Sequence, residues 1–324
     1  MGFGSVFGES WKDYKSNFKV MSKIQLLYYV LPTIILVSIL VALFFMMGLY
    51  DGLRELHVAY LSILQNAALP DSTSSSLDPN TLFVPLQSQI FAFIYQAIPF
   101  ILLASVLSAI NLLLVLFGNT AIASASVKKK SFTFSEAVNT AKKSYWKVVG
   151  LVLLILLIFV IIAAYFLAVL LLSALMGVVG ILVFLVAIPV AIWVVISWIF
   201  AVYIIVAEEK GVFASLSDSW RMVKGRWWKT FGYSLLFLLI ISGISIIFSI
   251  VQWVLQIIIL NAFGFPQVLG FEQFLALSFD EIVRHMVISD SISGVVNIVS
   301  NFLLIPLYLL FFKNMYLVWK SKKK

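Results

Sequence analysis

The sequence contains no cysteine, two histidines, and charged side chains at only 11% of its 324 positions. The lack of cysteine excludes disulfide frameworks, thiolate nucleophiles and cysteine-ligated metal or iron–sulfur sites. So few charges exclude an ordinary water-soluble domain, in which about 25% of residues are charged. HExxH, GxSxG, P-loop and GxGxxG motifs are also missing from the sequence. We therefore expect a protein that is not an enzyme and carries no cofactor and no metal.

Apolar residues make up 63% of the chain, and they are concentrated in five stretches without a charge. An ionised side chain at the bilayer centre costs about 2.5–3.5 kcal/mol, so each stretch predicts membrane-spanning structure. The third stretch has 60 residues, and as one helix it would be about 90 Å long against a hydrocarbon core of about 30 Å. It must fold back, and Gly177 and Gly180 predict a tight hairpin. The stretches are 24–50, 79–127, 148–207, 230–271 and 291–312.

Six spans define the predicted fold class, an all-α polytopic membrane protein. They place 20 of the 22 Lys and Arg residues on one side of the membrane. Because cytoplasmic loops carry the excess of positive charge, both termini are predicted to be cytoplasmic, in a multi-pass protein of a prokaryotic cell membrane. The first span lacks the features of a cleaved signal peptide. Topology accounts for the net charge of +8, so nucleic acid is not an expected partner.

Three amphipathic segments precede the odd-numbered spans, and they align as an internal repeat. Each has apolar residues at i, i+4, i+7 and i+11, which is one helical face, with an acid at i+2 and a lysine at i+8. The segments begin at Phe7, Phe134 and Leu216. We therefore predict a single domain, 1–324, of three units, 1–118, 119–207 and 208–324, each an interfacial helix followed by a helical hairpin. Capping boxes are predicted at Thr133 to Glu136 and at Ser215 to Asp218.

These segments are predicted to lie at the lipid interface, with aromatic rings in the acyl boundary and lysines towards anionic lipid. Two interpretations remain open: connectors that obey ordinary interface preferences, or a surface that binds cytoplasmic anionic lipids or a membrane-protein partner. The predicted lipid-interface residues are Trp11, Tyr14, Lys15, Lys142, Trp146, Trp220, Lys224, Trp227 and Trp228.

A polar stripe marks the fifth span, where five side chains recur at intervals of three and four residues. Such a stripe packs helices together or lines a groove for an amphipathic ligand such as a lipid headgroup. The second interpretation predicts a transporter or channel for an uncharged or amphipathic substrate. The stripe consists of Ser242, Ser245, Ser249, Gln252 and Gln256, and the groove would be completed by Asn297, Ser300, Asn301 and Asn111.

Ionisable groups are nearly absent from the predicted spans. Lys313, near the end of the last span, is the exception, and we expect it to extend to the interface. His57 and His285 each lie near acids on the outer side, but nothing fixes the distance between them, so a metal site is not expected. The predicted function is a non-enzymatic, lipid-interacting or partner-scaffolding membrane module.

Residues 215–232, SLSDSWRMVKGRWWKTFG, resemble a motif of a prokaryotic family of six-span proteins. That family includes the membrane domain fused to some bacterial glycerophosphodiester phosphodiesterases, together with related domains of unknown function. The resemblance implies a membrane bundle that is often free-standing. We expect no hydrolytic activity, because the sequence offers no soluble segment for the catalytic barrel of the fused members.

Overall fold

A computed structural model describes residues 2–68, 79–176, 178–265 and 277–321, and the regular structure of these residues is entirely helical. Six helices in these ranges are long and apolar enough to cross a membrane. The predicted all-α, six-span class is thus confirmed, and the protein is a multi-pass membrane protein. The candidate spans are Phe3–Met46, Leu86–Lys128, Phe134–Tyr165, Ile188–Glu208, Trp227–Ala262 and Phe279–Ser321.

The described residues form ten α-helices and one π-helical turn. In chain order they are α1 (Phe3–Gln25), a π-helical turn (Leu26–Val30), α2 (Leu31–Met46), α3 (Leu49–Ala68), α4 (Pro79–Lys128), α5 (Phe134–Met176), α6 (Val178–Trp198), α7 (Ala201–Glu208), α8 (Val212–Val223), α9 (Trp227–Ala262) and α10 (Phe279–Ser321). Gly177, predicted in the hairpin, lies outside the described residues, and Gly180 lies within α6.

The three amphipathic segments join their spans in two ways. The first continues through α1 and the π-helical turn into α2, and the second continues directly along α5. Only the third is a separate helix, α8, which is followed by a break at Gly225 with φ of +80°. The sequence explains why the third segment is separate from its span. A residue in the left-handed conformation ends a helix, and glycine adopts this conformation without strain.

The chain divides into two compact units, each made of segments that are distant in the sequence. Unit 1 comprises residues 1–30, 113–249 and 297–324, and unit 2 comprises 31–112 and 250–296. The first boundary coincides with the end of the π-helical turn, just before Pro32. Proline removes an amide donor and clashes with the carbonyl four residues earlier, which explains the irregular helix at this position.

Unit 1 has a core in which small residues allow helices to approach closely. Residues 120–126 of α4, composed of Ala, Ser, Thr and Ile, are all buried. A side chain at Gly118 would lie only 2.8 Å from Tyr28 Cβ, so α4 and the π-helical turn are nearly in backbone contact there. Phe200, Tyr316 and Trp319 belong to the same hydrophobic core as Ile122 of α4. Close packing of this kind is the main attraction available to helices in lipid.

Unit 2 is connected by polar contacts between helices. Tyr50 donates its hydroxyl to Asp280 Oδ1 at 2.6 Å, and Gln96 Nε2 donates to the Met47 carbonyl at 2.9 Å. At Gly52, a side chain would lie 2.9 Å from the Phe93 ring. Many Ile, Leu, Val and Phe residues of α2 and α4 are exposed in this unit. A surface of this kind is suited to lipid rather than to water.

Candidate functional site

A buried ion pair joins the first and last helices of unit 1. Lys313 is 3% exposed, and its Nζ lies 2.5 Å from Asp13 Oδ2. Asn314 Nδ2 donates to the same carboxylate oxygen at 3.2 Å and to Ser10 Oγ at 3.1 Å. The prediction that Lys313 extends to the interface is wrong, because a carboxylate from α1 reaches it inside the protein. Pairing makes the burial tolerable, since an isolated charge in this position would be costly.

A second polar contact attaches α1 to the loop before α5. Asn17 is buried, and its Nδ2 donates to the Lys130 carbonyl at 2.7 Å while its Oδ1 accepts from the Phe132 amide at 3.3 Å. These bonds satisfy two backbone groups that a loop inside the protein would otherwise leave unpaired. One face of α1 is therefore a buried polar face, which the aromatic repeat did not indicate.

The four basic segments that were predicted to share one side pack together in unit 1. Buried residues from all four, such as Val6, Phe132, Met222 and Met315, belong to one hydrophobic cluster. We name this region the basic end, and it consists of residues 3–25, 119–147, 208–230 and 313–321. The packing of these four segments against one another is what a chain that crosses the membrane an even number of times between them would show.

Three of the predicted lipid-interface tryptophans are exposed on the basic end. Trp11 is 44% exposed, Trp146 is 73% exposed and Trp228 is 78% exposed. Trp146 and Trp228 lie at the start of apolar spans, each followed directly by a lysine. The three repeat lysines, Lys15, Lys142 and Lys224, are exposed as well.

The other three aromatic residues of that prediction contact protein. Tyr14 is 8% exposed and stacks on Trp11, with ring centroids 5.5 Å apart. The rings of Trp220 and Trp193 meet edge to face at 4.2 Å, and Trp227 Nε1 donates to the Trp193 carbonyl at 3.4 Å. Tyr14 therefore belongs to the core, whereas Trp220 and Trp227 hold α8 and α9 against α6.

The start of α8 differs from its predicted capping box. The helix begins at Val212, so Ser215 lies inside it and donates its hydroxyl to the Gly211 carbonyl at 2.8 Å. Asp218 pairs instead with Lys210 at 2.6 Å and with Arg221. The box at Thr133 is confirmed: the Thr133 amide donates to Glu136 Oε2 at 2.8 Å, and the Glu136 amide donates back to Thr133 Oγ1 at 3.3 Å.

The pair of Lys210 and Asp218 connects the loop after α7 to α8. The Lys210 ammonium lowers the pKa of Asp218 by donating to its carboxylate. The same bond, together with one to Glu208 at 2.8 Å, raises the pKa of Lys210. Glu208 also accepts from the Tyr316 hydroxyl at 3.0 Å, which extends the network to α10. Opposite charges within bonding distance account for both shifts.

The amides of the polar stripe bond to serines of α10 that the sequence did not indicate. In unit 2, Gln252 Nε2 donates to Ser293 Oγ at 2.9 Å and Gln256 Nε2 donates to Ser289 Oγ at 3.0 Å. In unit 1, Ser249 donates to the Ser245 carbonyl at 3.1 Å. Bonds between helices favour packing over a groove at the two glutamines. Of the other stripe and groove residues, Ser242, Asn297 and Asn301 are exposed in unit 1, Ser245 and Ser300 are half-buried there, and Asn111 is half-buried in unit 2.

The two histidines contact aromatic rings in unit 2. His57 lies 5.5 Å from Phe279 and His285 lies 5.5 Å from Phe265, measured between ring centroids. Across the described ranges, the structure contains no group of three or more His, Asp and Glu residues that could hold a metal ion.

Unit 1 also contains an apolar cavity of about 310 Å³ between α5, α6, α7 and α10. Ile158, Ile162, Val195 and Phe312 line it, together with Tyr203, Tyr308 and Trp198, whose side chains carry polar groups. The Tyr203 hydroxyl donates to the Leu309 carbonyl at 2.9 Å, so it is already bonded. The volume is at the lower end of the range for small-molecule sites, and the lining suits an apolar chain.

A family model described as a domain of unknown function, DUF7847, matches residues 137–310, which is more than half of the chain. The chain belongs to the DUF7847 family. No curated protein and no solved structure matches it. The comparisons thus show a family of unknown function for this membrane protein and no link to glycerophosphodiester phosphodiesterases.

The DUF7847 match covers the apolar cavity almost completely but not the buried ion pair. Asp13 lies before the matched range and Lys313 lies just after it. The sequence did not predict this pair, because a lysine near a helix end and an aspartate in an amphipathic helix are each expected to be exposed to solvent. The available signal was that Lys313 is the sole charge between Asp290 and Lys320 of this DUF7847 protein, so apolar residues flank it on both sides.

Proposed function

We propose that this DUF7847 protein is a non-enzymatic membrane module whose basic end binds anionic lipid on the cytoplasmic side of a prokaryotic cell membrane. The observation that carries the proposal is the exposure of Trp146 and Trp228 beside lysines at the start of their spans. Exposed tryptophan is typical of the headgroup level of a bilayer.

Charge supports the same proposal. The basic segments hold most of the Lys and Arg residues of the chain, and each cation near an anionic membrane surface contributes about 1 kcal/mol to binding. The resemblance of residues 215–232 to the membrane domain of phosphodiesterases adds a scaffolding role to the proposal.

The test measures the melting temperature of the protein in nanodiscs of phosphatidylcholine, with and without phosphatidylglycerol. A ligand that binds the folded state raises the melting temperature, so we expect wild type to be more stable in the anionic discs. A triple variant, Lys15→Gln, Lys142→Gln and Lys224→Gln, is expected to lose most of this difference.

The control is the double variant Arg54→Gln and Arg284→Gln, which removes the two cations of unit 2. We expect it to retain the stabilisation by phosphatidylglycerol. Equal melting temperatures of wild type in the two kinds of disc would contradict the proposal.

A second candidate function is a carrier for an apolar or amphipathic substrate, and the apolar cavity of unit 1 favours it. In proteoliposomes, Ile158→Trp would fill the cavity and abolish movement of a fluorescent lipid between leaflets. Leu157→Trp, at the adjacent exposed position that does not line the cavity, is the matched control. Equal transport by the two variants would exclude this function.

A further inference from the structure

A second cavity, of about 270 Å³, lies at the basic end where α4 ends and α5 begins. Three lysines line it, Lys128, Lys129 and Lys143, and they are accompanied by Asn139, Thr140 and a single acid, Glu136. The side chains that line it therefore carry more positive than negative charge. It lies entirely within unit 1.

The lysines of this cavity differ in how far their charge is neutralised. Lys129 pairs with Glu136 at 2.5 Å, and Lys128 pairs with Glu209 at a longer 3.3 Å. Lys143 has neither a hydrogen bond nor an ion pair among the described residues. The carboxylate of Glu136 has a further role, since its second oxygen accepts from the Thr133 amide and caps α5. Positive charge consequently remains at Lys143 and, in part, at Lys128.

An unused amide donor lies beside the uncompensated lysine. Asn139 and Lys143 are four residues apart on α5, so their side chains occupy neighbouring positions on one helical face. Within the described part of the chain, the Asn139 side chain has no hydrogen-bond partner. Thr140, between them, has its hydroxyl occupied: it donates to the Glu136 carbonyl at 2.8 Å and accepts from Ser124 Oγ at 3.2 Å. Among the described lining residues, Lys143 and Asn139 are thus donors without any partner, and Lys128 keeps part of its donor capacity.

We propose that this cavity binds a phosphate group, with Lys143 and Lys128 as the cationic contacts and Asn139 as a neutral donor. A phosphate offers several acceptor oxygens at once and forms strong charge-assisted hydrogen bonds with lysine. The phosphate belongs either to the headgroup of an anionic lipid or to the free anion. Trp146 follows Lys143 by less than one helical turn, so the proposed site lies near the level of the bilayer that exposed tryptophan occupies.

If the phosphate belongs to a lipid headgroup, this inference rests on the proposed function. The experiment therefore tests the cavity and the proposed function separately. It compares Lys143→Gln with Lys142→Gln in the full-length protein. Both variants remove one positive charge from an exposed position of α5, but only Lys143 lines the cavity. Because neither side chain has a partner in the described structure, neither variant is expected to alter the fold.

The lipid measurement uses nanodiscs of phosphatidylcholine with and without phosphatidylglycerol, and native mass spectrometry counts the phosphatidylglycerol retained by each protein. Loss of a charged hydrogen bond in a formed site is expected to weaken retention about tenfold or more in Lys143→Gln. Loss of one surface charge is expected to weaken it about fivefold or less in Lys142→Gln. Inorganic phosphate is titrated in parallel into detergent-purified protein by calorimetry.

A dependence on Lys143 in the nanodiscs supports a headgroup site, and a dependence on Lys143 only in the calorimeter supports a site for the free anion. Equal losses in the two variants in both measurements would overturn the cavity as a site while leaving the proposed function in place. Wild type that retains no more phosphatidylglycerol than phosphatidylcholine would overturn the proposed function, and the phosphate titration would then decide the cavity alone.

Discussion

Asp13 and Lys313 are separated by 300 positions in the sequence, and their side chains form the most deeply buried ion pair among the described residues. The contact holds α1 against α10 at the basic end, and Asn314 strengthens it by donating to the same carboxylate. A buried pair differs from a surface pair because loss of one partner leaves an uncompensated charge inside the protein.

Replacement of Asp13 by Ala should therefore be strongly destabilising. We expect a loss of about 3–5 kcal/mol in the free energy of unfolding, because the Lys313 ammonium would remain buried without a counter-charge. The double variant Asp13→Ala and Lys313→Met should recover much of this loss. Unfolding by sodium dodecyl sulfate in mixed micelles provides the measurement. Glu209→Ala, which breaks the exposed pair with Lys128, should cost at most about 1 kcal/mol, and a similar cost for Asp13→Ala would contradict the prediction.

The attachment of α8 to the loop before it should weaken in acid. The pKa of Asp218 is lowered in the folded protein by Lys210, so the stabilisation is complete above the ordinary value of 3.8 and is lost as the pH falls through the lower folded value. The raised pKa of Lys210 has no effect in this range, because its contribution is lost only when the pH rises above 10.5.

Melting temperatures of wild type and Asp218→Asn across pH 3–7 test this expectation. The difference between the two proteins should be constant near neutral pH and should shrink as the pH falls below about 4. A difference that stays constant down to the lowest pH would show that the Asp218 carboxylate does not stabilise the contact by its charge.

Gly225 should be the least replaceable glycine of the third amphipathic segment. Its φ of +80° lies in the left-handed region, where a side chain costs about 1–2 kcal/mol. Gly225→Ala should therefore lower the free energy of unfolding by that amount. Gly232→Ala is the control: it lies inside α9 with no atom within 4 Å of the added carbon, and it should raise stability by about 0.5–1 kcal/mol. Unfolding in mixed micelles distinguishes the two signs.

The two predicted capping boxes should respond differently to alanine. Thr133 caps α5, so Thr133→Ala should cost about 1 kcal/mol. Ser215 bonds the carbonyl four residues before it inside α8, and Ser215→Ala should be close to neutral because such a bond slightly destabilises a helix. Equal costs for the two variants would indicate that Ser215 has a capping role after all.

Local patterns predicted local features of this protein well. The sequence Thr-Phe-Ser-Glu at 133–136 carries every group of the capping box, and the box forms. Ser278-Phe-Asp-Glu281 carries the same motif at the start of α10, and there the Ser278 amide donates to Glu281. The box at Ser215 failed because Gly211 offers an earlier start for the helix. The helix therefore starts about one turn earlier than the predicted capping box.

Those local patterns did not predict hydrogen-bond and packing partners from distant segments. The stripe of Gln252 and Gln256 was recognised as polar, but whether it lined a groove or bonded a neighbour depended on Ser289 and Ser293 of another helix. Tyr14 shares its periodicity with Trp11, and only the packing of unit 1 shows that it lies inward. A helical period shows which residues share one face of a helix, but it does not show what packs against that face.

The sequence by itself determined that this chain forms six helices long and apolar enough to cross a membrane, with its cations concentrated between the apolar stretches, because charge is excluded from hydrocarbon wherever the chain folds. Tertiary structure alone decided which polar groups inside the protein find partners. A buried charge such as Lys313 is stable only beside an opposite charge, and the folded chain brings Asp13 to it from the far end of the sequence.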